Sequence, residues 1–75
     1  MEKRILLPNY DAVKNFVRES EGCDDTVLVS KEGFNYQIDG SSLLGMMQVI
    51  GANLIVKYYG HSNHFLNMLE RYQAG

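Results

Sequence analysis

Residues 26–38 read Thr26-Val27-Leu28-Val29-Ser30-Lys31-Glu32-Gly33-Phe34-Asn35-Tyr36-Gln37-Ile38. The first five are short and rich in β-branched side chains, the composition of a strand. Lys31-Glu32-Gly33 has the length of a hairpin turn, with Gly33 available for positive φ. Residues 34–38 alternate apolar and polar without a fault. That predicts a half-buried strand with Phe34, Tyr36 and Ile38 inward. The stretch therefore predicts an antiparallel β-hairpin.

Working toward the N-terminus, Arg4-Ile5-Leu6-Leu7 is a short apolar run stopped by Pro8 and reads as a strand. Asn9 or Asp11 supplies a helix cap, because a short side-chain oxygen satisfies the free N–H groups of a first turn. Ala12, Val13, Phe16 and Val17 then recur at helical spacing, with Lys14, Asn15, Arg18 and Glu19 on the other face. Gly22 ends that helix. Toward the C-terminus, Asp39-Gly40-Ser41-Ser42 breaks the strand and caps a short helix of Leu43, Leu44, Met46, Met47 and Ile50, which Gly51 ends. Residues 53–59 form a fourth strand, with Leu54, Val56 and Tyr58 on one face and Ile55, Lys57 and Tyr59 on the other. Ser62 or Asn63 caps a last helix marked by Phe65, Leu66, Leu69 and Tyr72. The order β-α-β-β-α-β-α predicts one α+β domain over residues 1–75. A four-stranded antiparallel sheet carries three helices on one face. The other face is open to water, in keeping with Asn35, Gln37 and Lys57.

Seventy-five residues suffice for one small domain and not two. The hydrophobic share of 45% excludes a disordered chain. A net charge of −2 lacks the cationic excess that drives nucleic-acid binding. No apolar run is long enough to span a membrane. The start, MEKRILLP, is too short and charged for a signal peptide. A single cysteine, Cys23, makes no internal disulfide, so a reduced, cytoplasmic protein is expected.

Three motifs point to a family. Gly40-Ser41-Ser42-Leu43-Leu44-Gly45-Met46-Met47-Gln48 resembles the second-helix motif, roughly K-S-I-M-G-V-M, of HPr, the histidine-containing phosphocarrier protein of the bacterial sugar phosphotransferase system. Gly51-Ala52-Asn53-Leu54-Ile55-Val56 resembles its G-A-E-I-T-I strand, and Leu66-Asn67-Met68-Leu69-Glu70 its L-N-A-L-E final helix. The likeness spans residues 34–72. It implies an open-faced β-sandwich of the same element order. It also implies partner docking through Leu43, Leu44 and Met47, with enzyme I and sugar-specific subunits as the family's partners. Ser42 aligns with the family's regulatory phosphorylation site, and a cap serine is a fitting place for a phosphate.

The sequence departs from that family at its chemistry. The phosphoryl-accepting histidine lies in an H-A-R-P-A loop before the first helix; here the loop is Pro8-Asn9-Tyr10-Asp11-Ala12, with neither histidine nor arginine. A helix N-terminus favours phosphate through its free N–H groups and dipole. With Asp11 as cap, its carboxylate would take those N–H groups and repel a dianion by about 1–4 kcal/mol at ~4 Å. A protein-docking or regulatory module is therefore expected, with no His phosphocarrier activity, no metal and no cofactor. A monomer or weak homodimer is expected. Two alternatives remain from the residues. One is a ferredoxin-like domain that binds a small ligand. The other is a phosphocarrier using His61 or His64. Strand order separates the first from an HPr-like sheet. Cys23, among Glu19, Glu21, Asp24 and Asp25, reads as a poor nucleophile, since negative neighbours raise a thiol's pKa.

Overall fold

β4 (Asn53–Tyr58) is the strand on which the sheet is built. In the computed structural model, which describes residues 1–74, it pairs antiparallel on both sides. On one side lies β1 (Glu2–Leu6), with Glu2 opposite Lys57 and Leu6 opposite Asn53. On the other lies β2 (Val27–Lys31), with Val27 opposite Tyr58. β3 (Ile38–Asp39) pairs antiparallel with β2, giving the order β1-β4-β2-β3. The central strands are thus the second and fourth. A ferredoxin-like sheet centres the first and third, so that alternative is excluded.

Three helices, α1 (Tyr10–Glu21), α2 (Leu43–Met47) and α3 (Asn63–Arg71), cover one face of the sheet, with α1 packed against both others. Ile5, Val27, Val29, Leu54 and Val56 project beneath them and are buried. Each such side chain contributes about 1.5–3 kcal/mol when withdrawn from water. An aromatic chain ties the layers together. Phe65 of α3 stands edge-on to Phe16 of α1 at 5.7 Å and to Tyr58 of β4 at 5.0 Å. Gly40 is where the loop after β3 presses on this core. A Cβ there would lie 2.8 Å from Val27 Cγ1 and 3.1 Å from Phe16 Cε1. On the opposite face Leu28, Ser30, Ile55 and Lys57 are half-buried and Glu2 and Arg4 exposed. Arg4 pairs with Glu32, and Lys57 lies 4.0 Å from Glu2. Exposed pairs of this kind add little stability.

The expected second hairpin strand is mostly absent. Residues 34–37 lie outside the ladder, and only Ile38 and Asp39 pair with β2. After the turn at Gly33 (φ 88°), Phe34 N–H donates back to Lys31 O at 3.0 Å, while Glu32 N–H goes to Asn53 O of β4 at 2.9 Å. Phe34 and Tyr36 are not inward; they are 52% and 50% exposed and pack edge-to-face on each other, 5.9 Å apart. The reason is the reach of the helix layer. α2 has five residues and meets β3 where Gly45 abuts Ile38. The rings beyond that point have no apolar surface to alternate against. Asn35 and Gln37 are exposed, as expected, but in a loop rather than on the sheet.

Two helix faces also differ from the reading of the sequence. α2 and its following turn bury Met46 and Val49. α3 buries Phe65, Met68 and Leu69, while Leu66 and Tyr72 are half-buried at the margin of the core. The end of the chain returns to the sheet. Leu6 N–H donates to Tyr72 O and Ala74 N–H to Arg4 O, each at 2.9 Å, so residues 72–74 run along the outer edge of β1.

Candidate functional site

The loop Pro8-Asn9-Tyr10-Asp11 leads from β1 into α1. Its base is fixed by Gly51 N–H, which donates to Leu7 O at 2.8 Å and so fastens the turn after α2 to the entry of α1. Asn9 has extended backbone, and its Oδ1 accepts Ala12 N–H at 2.9 Å. The cap is therefore Asn9 and not Asp11. Asn9 stands one residue before the helix, within reach of the third helical N–H, whereas Asp11 lies inside the first turn and is exposed. A carboxylate there still complements the positive helix end. Tyr10 is exposed, with the Lys14 ammonium 5.4 Å from its ring centroid.

α2 flanks α1. Ser42 caps it, its Oγ accepting Gly45 N–H at 3.3 Å, and is exposed. Ser41 instead donates its hydroxyl and N–H to Asp39 Oδ1 at 2.7 and 2.9 Å. This holds the Asp39 carboxyl below its ordinary value, chiefly through the hydroxyl. Because Met46 and Val49 take the inward face, Leu44 (78% exposed), Met47 (40%), Ile50 (38%) and Leu43 (36%) stand outward. Between α1 and α2 runs an open groove of about 390 Å³ lined by Lys14, Val17, Arg18, Glu21, Ser41 and Leu43. Arg18 is steadied by a 2.9 Å bond to Asn15 Oδ1. The result is an apolar helix face bordered at Leu43 by two cations, Lys14 and Arg18, and one acid, Glu21. Leu43, Leu44 and Met47 share it; Ile50, Lys14 and Arg18 were not singled out from the sequence. The i, i+4 spacing of Lys14 and Arg18 was the available signal.

The histidines lie elsewhere. α1 has twelve residues, about 18 Å from end to end. His64 Nε2 lies 2.8 Å from Glu19 Oε2, near the C-terminal end of that helix. His61 donates its backbone N–H to the Asp24 carboxylate at 2.9 Å, just past that end. Neither imidazole approaches Asn9. Asp24 also accepts the Tyr58 hydroxyl, and Ser62 N–H donates to the Tyr58 oxygen at 2.9 Å. One carboxylate thereby joins the α1–β2 loop to the β4–α3 turn. The Tyr58 hydroxyl and then the His61 N–H hold Asp24 below its ordinary value. The Tyr58 phenol is pushed up to about 12, first by burial and then by Asp24. Cys23 donates its thiol to Glu19 O at 3.3 Å. Burial is the main cause raising its pKa, with Asp24 and Glu19 adding to it and a bond to Tyr58 opposing it. Among the described residues, no three His, Cys, Asp or Glu side chains are grouped to hold a metal ion, and no helix is long and apolar enough to cross a membrane.

Compared with known proteins, the chain matches no family model and no curated protein. Its architecture does have a solved counterpart. The chain is similar to the crystal structure of a phosphocarrier protein HPr from Bacillus anthracis str. Ames, with a TM-score of 0.68 over 97% of this chain and 96% of that one, at 17% sequence identity. The open-faced, HPr-like fold implied by the three motifs is the fold this chain has, in a sequence far diverged from that neighbour.

Proposed function

We propose that this chain is a divergent HPr-like docking or regulatory module of a bacterial, phosphoenolpyruvate-dependent sugar phosphotransferase system. It works in the cytoplasm and does not carry phosphate on histidine. The observation that carries the reading is the entry to α1. Asn9 occupies the cap, no imidazole is near it, and both histidines lie toward the other end of the helix. What remains of an HPr-like surface is its means of contact. Leu43, Leu44 and Met47 form the apolar centre that meets the partner, and Lys14 and Arg18 border it. Methionine suits such a surface because it is flexible and polarisable. Ser42, exposed at the start of α2, is the position for a regulatory phosphate.

The test has two arms. Incubation with enzyme I and labelled phosphoenolpyruvate leaves the chain unlabelled. Acid-labile, base-stable label would overturn the reading in favour of a phosphocarrier using His61 or His64. In the second arm, Leu44→Glu keeps the circular dichroism of the wild type and abolishes capture by purified phosphotransferase-system proteins. Undiminished capture would remove the α2 face from the proposal.

A further inference from the structure

Sulfur is distributed unevenly between core and surface. Met46 is fully buried and Met68 is 2% exposed, both within the core. Cys23 is half-buried, with its thiol donating to Glu19 O at 3.3 Å. Met47 is 40% exposed and Met1 38%. Met1 is fixed at the far end of β1, its ammonium donating to Tyr58 O at 2.8 Å. The turn after α2 is held to Leu7, past the other end of that strand. Among the described residues, Met47 is therefore the one sulfur that the α2 face opens to solvent.

Its place on that face is central. Met47 stands four residues from Leu43 and three from Leu44, so it adjoins both along the helix surface. Ile50 follows three residues later, in the turn after the helix. We propose that Met47 is an oxidation site that switches the α2 face off: a peroxide converts its thioether to the sulfoxide, and the partner no longer docks. The inference rests on the docking role proposed above for that face.

The sulfur lone pair takes one oxygen from hydrogen peroxide. The O–O bond breaks, the S–O bond forms, and the peroxide, now reduced, leaves as water. A thioether needs no deprotonation for this step. The competing sulfur, Cys23, reacts as thiolate, and burial above all raises its pKa, so it stays a thiol. The sulfoxide is polar where the thioether was apolar. Set among Leu43, Leu44 and Ile50, it must be stripped of water when a partner covers the face, which is costly. Met46 faces the core and is shielded by it, so oxidation alters the surface and spares the fold. Methionine sulfoxide reductases reverse the change, which makes the switch a reversible one.

Treatment of the folded chain with hydrogen peroxide tests this. Fragment-ion mass spectra show oxygen added at Met47 and Met1 before Met46 or Met68. Circular dichroism and the melting midpoint stay those of the untreated chain. Capture by purified phosphotransferase-system proteins falls about tenfold or more, and returns after methionine sulfoxide reductase and its thiol reductant are added. Met47→Leu, which keeps Met1, is captured equally before and after peroxide. Oxygen appearing at Met46 as early as at Met47 would overturn this inference and leave the docking role standing. So would undiminished capture of chain oxidised at Met47, or an equal loss in Met47→Leu. Failure to capture the untreated wild type would instead overturn the docking role, and this inference with it.

Discussion

His64 Nε2 and Glu19 Oε2 lie 2.8 Å apart, joining the first turn of α3 to the last turn of α1. The pairing holds one of the chain's two imidazoles on a carboxylate at the end of α1 opposite Asn9. Both side chains reach solvent, so the pair adds at most about 1 kcal/mol. His64→Ala is therefore expected to leave thermal stability nearly unchanged, and Glu19→Gln likewise. A loss of several kcal/mol in urea unfolding of His64→Ala would mean that the pair is a structural keystone.

The entry to α1 discriminates between two acceptors. Asn9→Ala removes the side-chain oxygen that holds Ala12 N–H and is expected to cost about 1 kcal/mol. Asp11→Ala loses only a favourable helix-end charge, about 0.3–1 kcal/mol, and less in high salt. Denaturation midpoints of the two variants at low and high ionic strength check this. A larger, salt-independent loss for Asp11→Ala would make the carboxylate the cap.

The Asp24–Tyr58 contact gives stability a signature at each end of the pH scale. Asp24 is held below the ordinary 3.8, so its contribution is present above pH 3.8 and is lost as acid titrates the folded carboxylate. The gap in melting temperature between wild type and Asp24→Asn should close in that range. Tyr58 is raised from 10.0 to about 12, so its contribution is present below pH 10.0 and is lost as pH climbs toward about 12. Ultraviolet titration should show a late tyrosine ionisation that is absent in Tyr58→Phe. A high-pH titration curve that Tyr58→Phe leaves unchanged would contradict the contact.

Gly40 tests the packing of the loop over the core. Gly40→Ala places a methyl 2.8 Å from Val27 Cγ1, and the overlap is expected to cost about 1–3 kcal/mol. Pairing the change with Val27→Ala should recover part of the loss in urea unfolding. No recovery would place the strain in the backbone instead.

Several of these relationships were legible in the chain itself. β4 was readable as a strand because Leu54, Val56 and Tyr58 alternate with Asn53, Ile55 and Lys57, although nothing in that pattern gave its central place in the sheet. Ser42 and Ser62 were readable as caps, since a short hydroxyl before an apolar repeat has little else to do. The missing imidazole at the entry to α1 needed only the residues of that loop. Phe34 and Tyr36 misled, because alternation describes a strand's faces without saying whether a second layer exists to cover one of them. α2 was too short for periodicity to choose a face, so Met46 and Val49 could be separated from Leu43 and Met47 only by packing. The engagements of Glu19 with His64 and Asp24 with Tyr58 join distant parts of the chain, and no local pattern encodes them.

Glu2 stands opposite Lys57, so β1 is secured by β4, which follows it across two intervening strands and two helices. During translation Ile5 and Leu7 must wait, uncovered, until β4 has left the ribosome. Long-range pairing of this kind slows folding and prolongs exposure to aggregation. A fragment ending before β4 would lack the strand on which both β1 and β2 pair.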